Sequence, residues 1–364
     1  MIALGLVTCV LATFDSNRGG YRFDPFKAGI VLMTANSNSF DLRSAILNSP
    51  TFRQFRLALA IAASCIIFYA VGKHSFTMPE MGGARSIAAG PLGSWLGPAG
   101  LVAALLISML ISALITWPDG PHTGLFCATA GLCALAVRTG TIKFLLLSHY
   151  SDPAAAYWPL VGQAGFYLAL LLVGALAARV MQPWFTAGRP WPISLAVPWP
   201  LHPNTDSTVP KGFPSSTGWL LASKGEPAFS RSALGAGCAA LAMMVAIASL
   251  VEYITMRSLQ PGQLIFALLL SFYIAGFAAG MVFKKAPDIF YIAAPMVTAT
   301  VSYMVASHLA WQYPGYPSFR AARALPIYYA SAGVVGILIG YYSAMRAVHH
   351  GALESAQDSQ HKPA

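Results

Sequence analysis

LISALITWPDGPHTGLFCATAGLCALAVRT, residues 110–139, decides the fold. An apolar run ends at Trp117-Pro118-Asp119, and a second run, dense in small residues, follows at once. Proline cannot continue a helix without losing a backbone hydrogen bond, and Asp at the next helix start satisfies free N–H groups and complements the dipole. The stretch therefore reads as two apolar spans separated by a short turn. The same punctuation returns at Ala286-Pro287-Asp288, again between apolar runs.

Composition says what such runs are for. Of 364 residues, 56% are hydrophobic and 9% charged, with mean hydropathy +0.61. A soluble domain carries about 25% charged residues, so too few remain here to cover a water-facing surface. Runs of about 20 mostly apolar residues suit lipid, and the alternating ten-residue segments of a β-barrel are missing. The chain reads as an all-α, polytopic membrane protein with the lipid bilayer as its partner. The net charge of +10 fits Lys and Arg in cytoplasmic loops. With no basic helix, finger or RNA-binding signature, nucleic acid is not expected.

About eight spans are expected, near 57–76, 97–117, 120–138, 158–179, 232–256, 262–283, 289–309 and 326–346. Residues 1–56 form an N-terminal arm, of which 1–32 read as an upstream extension before Met33. Residues 57–181 and 232–346 are two four-helix halves. Between them, 182–231 is rich in Pro and Trp and reads as an extended linker with its tryptophans at headgroup level. Residues 347–364 form a polar, unstructured tail.

Register raises an internal duplication. Pro118-Asp119 and Pro287-Asp288 lie 169 residues apart. Pro159 and Arg179 bracket the fourth span as Pro326 and Arg346 bracket the eighth, offset by 167. Four spans per half would give parallel repeats related by an axis along the membrane normal. Identity between the spans is low, and prolines and arginines mark helix ends anyway. Starting from an inside lead-in, twelve Lys and Arg fall on inside segments against seven outside. This expects a cell membrane with both termini cytoplasmic.

Chemistry-bearing residues are few. Asp119 and Asp288 are a symmetry-related carboxylate pair if the repeat is real, although a helix cap is the first reading of each. Glu252 is the one acid inside an apolar run, expected to face a cavity or to pair with Arg257. Gln163 and Tyr167 stand one turn apart on the fourth span. His308 closes the seventh, where an interfacial anchor is the plainer role. The eight histidines and five cysteines show neither metal-ligand spacing nor a CxxC, and no phosphate loop, HExxH or GxSxG occurs. No cofactor is expected, and an enzyme is the weaker expectation. Gly276-x-x-x-Gly280 and Gly336-x-x-x-Gly340 are helix-contact motifs, for packing within the bundle, a homo-oligomer or another membrane subunit. Architecture leads to permease-like or channel-like movement of a small solute. The alternative is a non-catalytic membrane subunit or scaffold.

Overall fold

The computed structural model describes residues 50–75, 96–116, 121–137, 139, 142–148, 151–152, 154–186, 231–283, 286–309 and 319–360. Residues 1–49, 76–95, Asp119 and most of the Pro/Trp-rich stretch lie outside them. The described residues are all-helical. The first half holds α1 (Pro50–Ser75), α2 (Leu96–Ile115), α3 (Pro121–Ala136), the short α4 (Ile142–Ser148) and α5 (Tyr157–Thr186). The second holds α6 (Arg231–Thr255), α7 (Pro261–Val282), α8 (Asp288–Leu309) and a 3-10 turn (Arg320–Arg323). A final helix, α9, runs from an opening turn (Pro326–Tyr328) through a π-helical turn (Tyr329–Gly333) into a long body (Val334–Gln360).

Seven of these helices are long and apolar enough to cross a membrane; α3 is apolar but shorter. At 1.5 Å per residue its 16 residues span about 24 Å, less than the roughly 30 Å of a hydrocarbon core. From Thr123 to Ala136 almost every residue of α3 is buried, so it is a central helix sheathed by the others. Its small residues allow this. A Cβ on Gly131 would stand 2.6 Å from the Ser64 Cβ of α1, and one on Gly124 would stand 2.5 Å from the Met109 carbonyl of α2. The outer helices are apolar on their outward faces as well: Ile66, Leu176, Leu250 and Val282 are each more than 60% exposed. A surface of that kind suits lipid rather than water.

Two expected boundaries move. α5 runs through Arg179 to Thr186, and α9 runs through Arg346 to Gln360. The arginines sit inside helices rather than closing them, so their matched spacing says nothing about helix ends. The stretch 347–360, expected as an unstructured tail, is helical. Ala347, Ala352, Leu353, Glu354, Ala356 and Gln357 are strong helix formers.

Packing inside each half differs. α1, α2 and α3 pack mutually in the first half, whereas α7 and α9 form the closest pair of the second. The glycine motifs explain that pair. A Cβ on Gly276 would lie 2.5 Å from the Ile337 carbonyl. Cβ atoms on Gly336 and Gly340 would press still closer on the carbonyls of Leu269 and Tyr273. These glycines face one another within the chain. The halves meet reciprocally: α5 lies along α8, and α3 lies against the π-helical turn of α9.

Candidate functional site

Glu252 lies on the last turn of α6 and is completely buried. Its expected partner, Arg257, is exposed; the carboxyl instead faces the Tyr329 hydroxyl, with Oε2 3.1 Å from Oη. Burying a carboxyl among apolar helices is expensive unless it is hydrogen-bonded, and Oε1 has no hydrogen-bond partner. Ionisable groups held inside a membrane bundle in this way mark functional sites by default.

The π-helical turn presents Tyr329. Its widened ring is closed by the Val334 N–H, which donates to the Tyr329 carbonyl five residues back. Such turns occur mostly as local bulges and often at functional positions. The Tyr329 hydroxyl is 2.6 Å from the Ala321 carbonyl in the 3-10 turn, and Tyr303 of α8 donates to the Ala324 carbonyl at 2.6 Å. The Tyr329 ring meets Phe272 and Tyr303 edge-on, with centroids 6.1 and 6.5 Å apart. Ser302 of α8 lies beside the Tyr329 hydroxyl.

The 3-10 turn closes the end of α6. Arg323 donates through Nη1 to the carbonyls of Met256 (2.9 Å) and Arg257 (3.1 Å). Arg320 donates to the Tyr253 carbonyl at 2.8 Å and stacks over the Tyr253 ring at 4.8 Å. The last carbonyls of a helix have no partner within it, and cations there complement the dipole.

The first half contributes from the other side. Tyr157 and Tyr167 of α5 are buried within electrostatic range of Tyr303. Cys133 of α3 is hydrogen-bonded with Ser331 of the π-helical turn, and Thr139, just beyond α3, with Tyr328. Tyr303 and Tyr329 thus stand next to the one buried carboxyl among the described residues of this end, with Tyr157 and Tyr167 of the first half behind Tyr303. Gln163 is half-buried on α5, one turn from Tyr167.

Asp288 lies elsewhere. It is half-buried on the first turn of α8, at the opposite end of the bundle from Glu252, and is hydrogen-bonded with Tyr341 of α9. The Tyr341 ring packs 4.5 Å from that of Tyr291. His308 is exposed at the far end of α8 and takes no part in either cluster. The structure therefore brings together neither Asp288 with Glu252 nor Glu252 with His308, and Asp119 lies outside the described residues. Among the described residues, no three His, Cys, Asp or Glu side chains converge as metal ligands.

Sequence reasoning reached Glu252 and Tyr167 but missed Tyr303, Tyr329 and Arg323. The available signal was Tyr328-Tyr329 at the start of an apolar span, two hydroxyls where lipid offers no partner. Comparison with protein-family models, with curated proteins and with solved structures returned no match.

Proposed function

We propose that this chain is a multi-pass cell-membrane protein that moves a small solute along the interface between its two halves, in the manner of a permease. One observation carries the reading: Glu252 meets the hydroxyls of α8 and α9 beside α5, the first-half helix that packs along α8. A purely structural bundle gains little from a buried carboxyl with one oxygen unpaired. The Lys and Arg distribution favours both termini in the cytoplasm, an orientation that turns Glu252 toward the outer face and Asp288 toward the inner. α8 and α9 run between the two acid–tyrosine clusters and form the wall of the path. Reciprocal packing of α5 on α8 and of α3 on α9 supports a parallel four-plus-four repeat. The unlike packing inside the halves means that any duplication has diverged far. The scaffold reading relied partly on glycine faces that here meet inside the chain.

The test is osmotic swelling of proteoliposomes carrying the full chain, in isosmotic glycerol, alanine, glucose or potassium acetate. Swelling faster than in protein-free liposomes is expected for at least one probe. Rates equal to protein-free liposomes for all four would count against the permease reading.

A further inference from the structure

We propose that Glu252 is the binding site of an exchangeable proton, which makes the proton the coupling ion of the transport reading above. The coupling rests on that reading; the site does not. The argument is a count of hydrogens. Tyr329 has one hydroxyl hydrogen and two acceptors at hydrogen-bond distance, Ala321 O at 2.6 Å and Glu252 Oε2 at 3.1 Å, besides the neighbouring Ser302 hydroxyl. The nearer carbonyl takes it. Tyr303 has likewise given its hydrogen to the Ala324 carbonyl. The contact between Glu252 and Tyr329 is then a hydrogen bond only when the carboxyl carries its own hydrogen and donates it to the Tyr329 oxygen. The remaining oxygen, Oε1, lacks a partner, which leaves the carboxylate an open position at which to receive a proton.

The groups packed around the carboxyl are compatible with this. Tyr303 comes from α8 and Tyr329 from α9, with Tyr157 and Tyr167 of α5 behind Tyr303. Arg320 and Arg323 of the 3-10 turn direct Nη1 at the α6 carbonyls. A hard metal cation such as calcium needs about six oxygen ligands, whereas here both tyrosine hydroxyls present their hydrogens to carbonyls. The step balances simply. When Glu252 releases its proton to water, the carboxylate becomes an acceptor and the Tyr329 hydrogen turns to it from Ala321. The Ala321 carbonyl loses its donor, in the same turn that holds the end of α6. Proton release at Glu252 is thereby transmitted to the clamp between α6 and α9.

The test has two arms. Infrared difference spectra compare the wild-type full chain in lipid nanodiscs with Glu252→Gln, whose amide can still donate to Tyr329. A protonated-carboxyl carbonyl band is expected in the wild type, moving in D2O, missing in Glu252→Gln and shifted in Tyr329→Phe. Identical wild-type and Glu252→Gln spectra would overturn the site. The second arm imposes a proton or a sodium gradient across proteoliposomes and follows any of the four swelling probes that moves. Proton-driven uptake that Glu252→Gln abolishes supports the coupling. Uptake indifferent to protons, or driven by sodium alone, overturns the coupling and leaves the permease reading intact. If no probe moves, the permease reading falls and the infrared band alone judges the site.

Discussion

A single residue is most exposed to error where its partner lies far along the chain. Glu252 stands out in sequence because an acid inside an apolar run is rare, yet its partner Tyr329 is 77 positions away. Tyrosine is also ambivalent, since an apolar ring and a polar tip suit a core and a headgroup layer alike. The partner expected from proximity, Arg257, was therefore the wrong one. The two arginines of the 3-10 turn can be ranked by environment. Arg323 is buried and donates twice to α6 carbonyls, so Arg323→Met should cost about 2–3 kcal/mol of stability. Arg320 is half-exposed, and Arg320→Met should cost about 1 kcal/mol or less. Thermal unfolding in a fixed detergent checks the order, and an equal or reversed loss would refute the clamp. Tyr303→Phe should cost about 1–3 kcal/mol in the same assay, because it leaves the Ala324 carbonyl buried and unpaired.

Helices were mostly legible because apolar length is a local property. Boundaries and the identity of the central helix were not. α3 looked like any other span, and only its sheathing by neighbours distinguishes it. The glycine motifs of α7 and α9 were visible, but which surface they served was not. The structure supplies a sharp contrast between glycines. Gly340→Ala places a methyl against the Tyr273 carbonyl and should destabilise by about 1–3 kcal/mol. Gly162→Ala on α5 meets nothing within 4 Å and should stabilise by about 0.4–1 kcal/mol. Paired melting curves test both, and similar shifts would mean that the α7–α9 approach is looser than described. The π-helical turn is an element with its own consequence. Deleting Ala332 should restore α-helical register there and turn Tyr329 away from Glu252. The expected readout is a shifted Glu252 infrared band in a protein that still folds.

As a whole molecule, the protein is two helical groups joined by packing as well as by chain. α5 lies along α8 and α3 against α9, so packing joins the helices on either side of residues 187–230. Two fragments, 1–200 and 201–364, expressed together should copurify in detergent with a melting temperature near that of the intact chain. Independent migration would show that the interface needs the connection.

The sequence by itself determined that this is an all-helical protein with seven or eight long apolar helices. Lipid-compatible length and the scarcity of charge are additive properties of neighbouring residues, and they survive any arrangement of the helices. Tertiary structure alone decided that Glu252 meets Tyr329, that Asp288 lies at the other end of the bundle, and that the glycine faces are used inside the chain. The first and last of these depend on the rotation of one helix against another. A rotation of about 100° per residue decides whether a side chain faces a neighbour or the bilayer, and that is fixed by close packing across the whole bundle.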